Sequence, residues 1–258
     1  MMCPKLGYVP CSGDLSYPAD KRRFCHYAKN RRLPYEIAKP LGEYDLLIVT
    51  GGADITFWSR WKRGKTKIIF ELINPYLDAS HWNIRNSLRG LAKFATRQFR
   101  YLELNYWKAI REMCNRADAV ICTTDSQKQR ILPWCPNVHV ILDFQAEVSR
   151  NVKTTYSRSS TIHLVWEGLP HNVVSISEIA AVLHEIKQEH PLALHIVTDL
   201  EYYEFMRSLG RKRTFDVIRK IFQPVHLYSW TEATCSSIIT ACDIALIPLK
   251  RTDPIEWG

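Results

Sequence analysis

Nine short apolar runs recur along the chain, and segments of helical periodicity separate them. The first five are KLGYVP (5–10), YDLLIVT (44–50), KIIFELI (67–73), DAVICTT (118–124) and VHVILD (138–143). A second series follows: TIHLVWEG (161–168), LALHIVTD (192–199), VHLYSW (225–230) and DIALIPL (243–249). Runs of Val, Ile and Leu without polar alternation mark strands buried on both faces, as in a parallel sheet. Between them Ile179, Val182, Leu183 and Ile186 recur at helical spacing, and Thr231 is placed to cap a helix carrying Ile238 and Ile239. Such alternation defines an α/β protein, here expected as two Rossmann-like domains.

The polar stretch QAEVSRNVKTTYSRSS (145–160) separates the two series. The expected boundaries are a first domain over 1–148, a linker over 149–160 and a second domain over 161–258. Five strands suffice for the first domain. The second series has four, and the sequence closes soon after the last, so the second domain is expected to be incomplete.

With 46% hydrophobic residues the chain can bury a substantial core, and no low-complexity tract or fixed-period repeat interrupts it. The net charge of +9 favours an anionic partner: nucleic acid, acidic lipid or a phosphorylated small molecule. Solvated surface Lys and Arg would give the same total. None of the eight cysteines forms a Cys-x-x-Cys pair or sits at metal-ligand spacing with His, so no metal is expected. Cys122 and Cys242 lie inside apolar runs, where a thiol acts as a small hydrophobe. The N-terminus lacks the apolar stretch of a secretory signal, and runs such as Leu46–Val49 are too short to span a bilayer. A cytoplasmic protein with reduced thiols is the resulting expectation.

Four segments of the second half, VWEGLPHN (165–172), HIVTD (195–199), LYSWTEA (227–233) and ACDIALIPL (241–249), stand in a telling order. Together they resemble the C-terminal domain of retaining GT-B glycosyltransferases of the family-four (group 1) kind. ACDIALIPL is similar to that family's Ala-Asp-(apolar)-Pro strand beside the donor site. Trp166, Glu167 and Gly168, followed by Asn172, resemble its first strand and donor-facing loop. ADAVICTTDSQKQRI (117–131) resembles a first-domain stretch of the same fold. The resemblance is good over 115–250 and weaker over 1–80.

The resemblance implies a cleft between two Rossmann-like domains, the second binding a nucleotide-diphosphate sugar and the first a saccharide or lipid-linked acceptor. No cofactor is implied beyond the donor. The implied mechanism retains configuration, with the leaving diphosphate helping to deprotonate the acceptor while the protein positions both and stabilises phosphate charge. No catalytic residue or general base is identified by it. The family's Glu-(seven residues)-Glu signature, with a basic residue and an Asn before it, does not occur before the sequence ends. That puts the activity of the chain by itself in doubt. Surface-polysaccharide synthesis is the family's habit.

The candidate site residues sit where chain-terminal strand loops would place them. Gly168 lets backbone N–H groups approach phosphate at a helix start, or is an ordinary strand-to-helix turn. Asn172 follows on the same loop. Thr198 and Asp199 end a strand, where they face donor or cap a helix. Trp230 ends the next strand, as a nucleobase contact or a core aromatic. In the first half, Gly13 and Asp14 occupy the loop that the fold brings to the donor diphosphate. Arg22 and Arg23 lie at a helix start, able to neutralise phosphate or to form a solvated face. Gly51 and Gly52 form another strand-end loop, on the acceptor side, and His81, in the loop after NPYLDAS, is a candidate general base or an ordinary loop histidine.

Leu88, Leu91, Ala95, Phe99, Leu102 and Tyr106 fall on one face of a helix over 84–106. Arg85, Arg89, Lys93, Arg97 and Arg100 fall on the other. A basic amphipathic helix with aromatics suits an anionic membrane surface, and an ordinary core-facing helix shows the same pattern. A peripheral position on the inner membrane face is the matching expectation.

Two other classes compete. An oxidoreductase needs Gly-x-Gly-x-x-Gly after an early strand, which neither CSGDLSYP nor TGGADITF provides. A non-catalytic module binding nucleotide or RNA would use the same basic surface, but no RNA-binding signature is present, and nucleic acid is not expected as a partner.

Overall fold

The computed structural model describes residues 4–15, 17–74, 77, 84–142, 145, 148–156, 160–205 and 209–248. The chain divides into two compact α/β units, the second beginning at Gln145.

The first unit opens with β1 (Leu6–Val9), wholly buried, then α1 (Pro18–Lys21), α2 (Phe24–Arg31) and the two-residue β2 (Glu36–Ile37). It continues with β3 (Leu46–Thr50), α3 (Ile55–Trp58), β4 (Lys67–Glu71), α4 (Ile84–Ala95) and α5 (Tyr106–Arg116). β5 (Ala119–Cys122), α6 (Asp125–Ile131) and β6 (Val138–Val140) complete it. The six strands form one parallel sheet in the order β2-β1-β3-β4-β5-β6. Leu47, Val49, Ile68, Phe70 and Val120 meet Ile55, Ile110, Met113 and Ile131 of the helices in one apolar core. Side-chain caps set the helix starts: Asp54 accepts from Thr56 and Phe57 N–H, Asn105 from Lys108 N–H and Thr124 from Gln127 N–H.

The helix expected over 84–106 is broken. α4 ends at Ala95, Arg97 takes a left-handed backbone (φ 58°), and a new helix starts at Tyr106. The return turn is held by Phe99, which stacks on Tyr106 at 5.8 Å, with the Lys93 ammonium 4.7 Å from the Phe99 ring centre. Gly90 allows the crossing, because a Cβ there would lie 2.1 Å from the Glu103 carbonyl oxygen. Leu91, Phe94, Tyr101, Leu102 and Leu104 stay exposed around this turn.

The second unit begins with β7 (Ile162–Glu167), a 3-10 helix (Pro170–Ile179), α7 (Ala180–Glu189) and β8 (Leu192–Thr198). An antiparallel hairpin, β9 (Glu201–Phe205) with β10 (Leu209–Arg213), is inserted before α8 (Thr214–Ile218). Then come β11 (Val225–Ser229), α9 (Cys235–Ala241) and β12 (Ile244–Ala245). The main sheet is parallel in the order β11-β8-β7-β12. Of the apolar residues at helical spacing here, Leu183 is buried and Ile179 packs on the core, while Val182 and Ile186 are exposed. Ile238 and Ile239 of α9 pack on Val165 and Val197. The segment 148–156 is tied to this unit: Asn151 N–H donates to Ser236 Oγ at 2.8 Å, and the Lys153 ammonium to the Cys242 carbonyl at 2.5 Å.

Cys114, Cys122, Cys135, Cys235 and Cys242 are buried and in the thiol form. Burial pushes the Cys114 thiol up to about 12, so it is inert as a nucleophile. Among the described residues no helix is long and apolar enough to cross a membrane, and no group of three or more His, Cys, Asp or Glu could hold a metal ion.

Candidate functional site

Open parallel sheets take ligands beyond the carboxyl ends of their strands, where the strand order reverses. In the first sheet that point lies between β1 and β3, and in the second between β7 and β12. Each unit therefore has its own candidate site.

In the first unit the loop after β1 is organised by Asp20, a fully buried carboxylate on α1. It accepts from the Tyr8 hydroxyl at 2.7 Å, from Cys11 N–H at 2.8 Å, and from Ser12 N–H and Oγ at 3.0 and 3.2 Å. These bonds fix residues 11 and 12 and leave Gly13 and Asp14 exposed at the tip. Burial, with the bond to Asp20 next, pushes the Tyr8 hydroxyl far above the ordinary tyrosine range. The loop after β3 meets the same place. A Cβ on Gly52 would lie 2.7 Å from Cys11 Sγ and 2.9 Å from its Cβ, so the close approach of the two loops requires glycine. Gly51 is buried; its N–H donates to the Glu71 carbonyl at 2.8 Å, and its carbonyl accepts from the Tyr106 hydroxyl at 3.1 Å.

Arg22 is half-buried at the end of α1. Arg23 is turned inward instead of facing a ligand. It is 6% exposed, its Nε lies 3.7 Å from Glu71, and its Nη2 donates to the Ile141 carbonyl at 3.1 Å. A guanidinium held this way anchors the strand ends and is not presented to phosphate. His81 lies outside the described residues. Gln127 stitches two strand ends together, donating to the Leu72 and Asn74 carbonyls at 2.8 and 3.0 Å while accepting from Thr123 N–H.

In the second unit three of the expected residues converge. Thr198, 1% exposed at the end of β8, donates from Oγ to the Gly168 carbonyl at 2.6 Å. Its own carbonyl accepts from Trp230 N–H at 3.1 Å. One threonine thus joins the ends of β7, β8 and β11. Gly168 is required where it stands, because a Cβ would come within 2.9 Å of the Trp166 ring. Trp230 is half-buried against Val165, Val197 and Cys235. Asn172 and Asp199 are exposed; the Asp199 carbonyl accepts from Thr214 Oγ at 2.7 Å. The expected α-helix start after Gly168 is a 3-10 helix with Pro170 in its first turn, so one of its N–H donors is missing.

On one face of this sheet lies a histidine row that the sequence reading passed over. His163 Nδ1 and His195 Nε2 are 2.9 Å apart, His195 Nδ1 is 3.1 Å from the Tyr228 hydroxyl, and the His226 ring stacks on His195 at 4.9 Å. Burial first, then His226 and His163, lowers the His195 pKa. Period-2 spacing on β8, with His195 opposite the face of Leu194 and Ile196, was the available signal. Asp20, Glu71 and Gln127 were missed as well. Asp20 follows a helix-starting proline, which marks a first-turn acid and says nothing of its burial.

The fold and these strand-end loops define a protein of two Rossmann-like α/β units. Among solved structures it is similar to TarM at 13% identity with a TM-score of 0.44, covering 78% of this chain and 35% of that one. It is also similar to a TarM variant from S. aureus in complex with Fondaparinux, alpha-GlcNAc-glycerol and UDP, at 12% identity and a TM-score of 0.40, covering 77% and 36%. The chain spans about a third of the length of both. No family model and no curated protein matches it.

Proposed function

We propose that the chain is part of a retaining GT-B glycosyltransferase that moves a sugar from a nucleotide-diphosphate donor to a saccharide or lipid-linked acceptor. Residues 1–148 form the acceptor side in this reading, 149–160 the linker and 161–258 the donor side. The observation that carries it is the junction at Thr198, which draws Gly168 and Trp230 to the carboxyl end of the second sheet. Those positions lie in three of the four segments that carry the family resemblance. Gly168 N–H and the first turn after it supply phosphate donors, and Trp230 supplies a flat apolar surface for a base. Gly13, Asp14 and Arg22 border the reversal point of the first sheet, with Gly51 and Gly52 beside them.

Peripheral attachment to an anionic membrane belongs to the same reading. Leu91, Phe94, Tyr101, Leu102 and Leu104 are exposed beside Arg97 and Arg100, an apolar patch with a cationic border. Surface-polysaccharide synthesis is the corresponding role.

Retention on an immobilised nucleotide sugar, with elution by free nucleotide diphosphate, tests the donor assignment. Salt-sensitive retention on RNA alone would favour a non-catalytic binding module and overturn it.

A further inference from the structure

The β9–β10 hairpin is the one antiparallel element among the described residues, and its sequence GRKRT is a run of cations. With α8 and the residues after it, the hairpin borders an open groove of about 760 Å³. Arg211, Lys212, Arg213 and Lys220 line it, against the carboxylates of Glu201 and Asp216, over a floor of Val217 and Ile221. That volume lies in the range of small-ligand sites.

We propose that this groove binds a chain of closely spaced phosphate groups. Glu201 is the organising residue. It accepts from Arg211 Nε at 2.8 Å, binds the Arg211 Nη2 as well, and lies 3.8 Å from Arg213 Nε. One carboxylate shared by two guanidiniums orders them side by side and cancels one of their two charges. Asp216 is matched by Arg219 at 3.2 Å, a residue outside the groove lining. In the lining, four cationic side chains stand against two carboxylates on a two-stranded support. Exposed ion pairs of this kind are weak, so an incoming phosphate displaces or shares Glu201 at little cost. Guanidiniums bind phosphate oxygens in forked geometry, and lysines add point charge.

The groove is rooted next to the candidate donor loops without including them. Thr214 N–H donates to the Leu200 carbonyl at 2.9 Å and Thr214 Oγ to the Asp199 carbonyl, but Gly168, Thr198 and Trp230 are absent from the lining. The inference is thus independent of the nucleotide-sugar reading.

Titration calorimetry of the full chain with inorganic tripolyphosphate and, separately, with inorganic phosphate tests it. Saturable binding of tripolyphosphate, tighter than that of the single phosphate, is expected. The double variant Lys212→Ala/Lys220→Ala should weaken it at least tenfold, and Lys62→Ala/Lys65→Ala, exposed on the first unit, should not. Circular dichroism checks that both variants are folded, and Glu201→Gln, which unbinds the guanidiniums while adding net positive charge, should still bind. Equal weakening by both double variants, binding of single phosphate as tight as that of tripolyphosphate, or retention of single-stranded RNA without any tripolyphosphate binding would overturn the proposal.

Discussion

The Thr198 hydroxyl donates to the Gly168 carbonyl at 2.6 Å, and this bond ties the ends of β7 and β8 together. Thr198→Val keeps the shape and removes the donor, leaving the carbonyl without its partner. The expected loss is about 1 kcal/mol of stability, read as a lower urea midpoint, with Thr198→Ser recovering most of it. Equal midpoints for the Val and Ser variants would show that the bond does not hold the strand ends.

Two glycines in the first unit should behave in opposite ways. Gly52→Ala places a methyl 2.7 Å from Cys11 Sγ and 3.3 Å from its Cα, so the loops must separate at a cost of about 1–3 kcal/mol. Gly13→Ala meets nothing within 4 Å and should change stability by no more than about 0.5 kcal/mol. Thermal melts of the two variants side by side decide it.

Asp20→Ala removes the acceptor shared by Tyr8, Cys11 and Ser12. The Tyr8 hydroxyl is buried and left unpaired, which costs about 1–3 kcal/mol. Hydrogen exchange at the Cys11 and Ser12 amides should accelerate, since those N–H groups lose their partner. Unchanged exchange there would contradict the role assigned to Asp20.

These predictions separate what the sequence disclosed from what it concealed. The strands were legible because β3, β4, β8 and their neighbours are continuous Val/Ile/Leu runs, the signature of a parallel sheet covered on both sides. β2 was not, since Glu36–Ile37 is two exposed residues on an edge. The β9–β10 hairpin was hidden by its charge, and a cationic run reads as a solvated face. The helix expected through 106 failed at Arg97, where no Gly or Pro signals a stop; the Phe99–Tyr106 stack that turns the chain is a tertiary contact. Among the candidate residues, the meeting of Gly168, Thr198 and Trp230 was legible because the apolar runs before them locate the strand ends. Arg23 was misjudged, because its partner Glu71 lies 48 positions away and no local pattern announces a buried pair.

The histidine row makes the second unit sensitive to acid. The His195 pKa is lowered in the fold by burial and by His226 and His163, with the Tyr228 hydroxyl, Asp243 and Lys153 as the other titratable or charged groups nearby. The unfolded chain then binds the proton more readily than the folded one. Stability from this source is fully present above the unfolded histidine pKa of about 6.5 and is lost as pH falls through the lower folded value. Urea midpoints should drop between pH 7.5 and 5.5, and the drop should shrink in His195→Gln. An identical pH slope in that variant would remove the histidines from the explanation.

The proposed donor site is the Gly168–Thr198–Trp230 junction of the second unit, which should hold a nucleoside diphosphate. Titration calorimetry with UDP, GDP and ADP on the wild type, Trp230→Ala and His226→Gln is the decisive measurement. Saturable binding of at least one of the three is expected, weakened tenfold or more by Trp230→Ala and unchanged by His226→Gln. No saturable binding of any nucleotide, or equal binding by the wild type and Trp230→Ala, would contradict it.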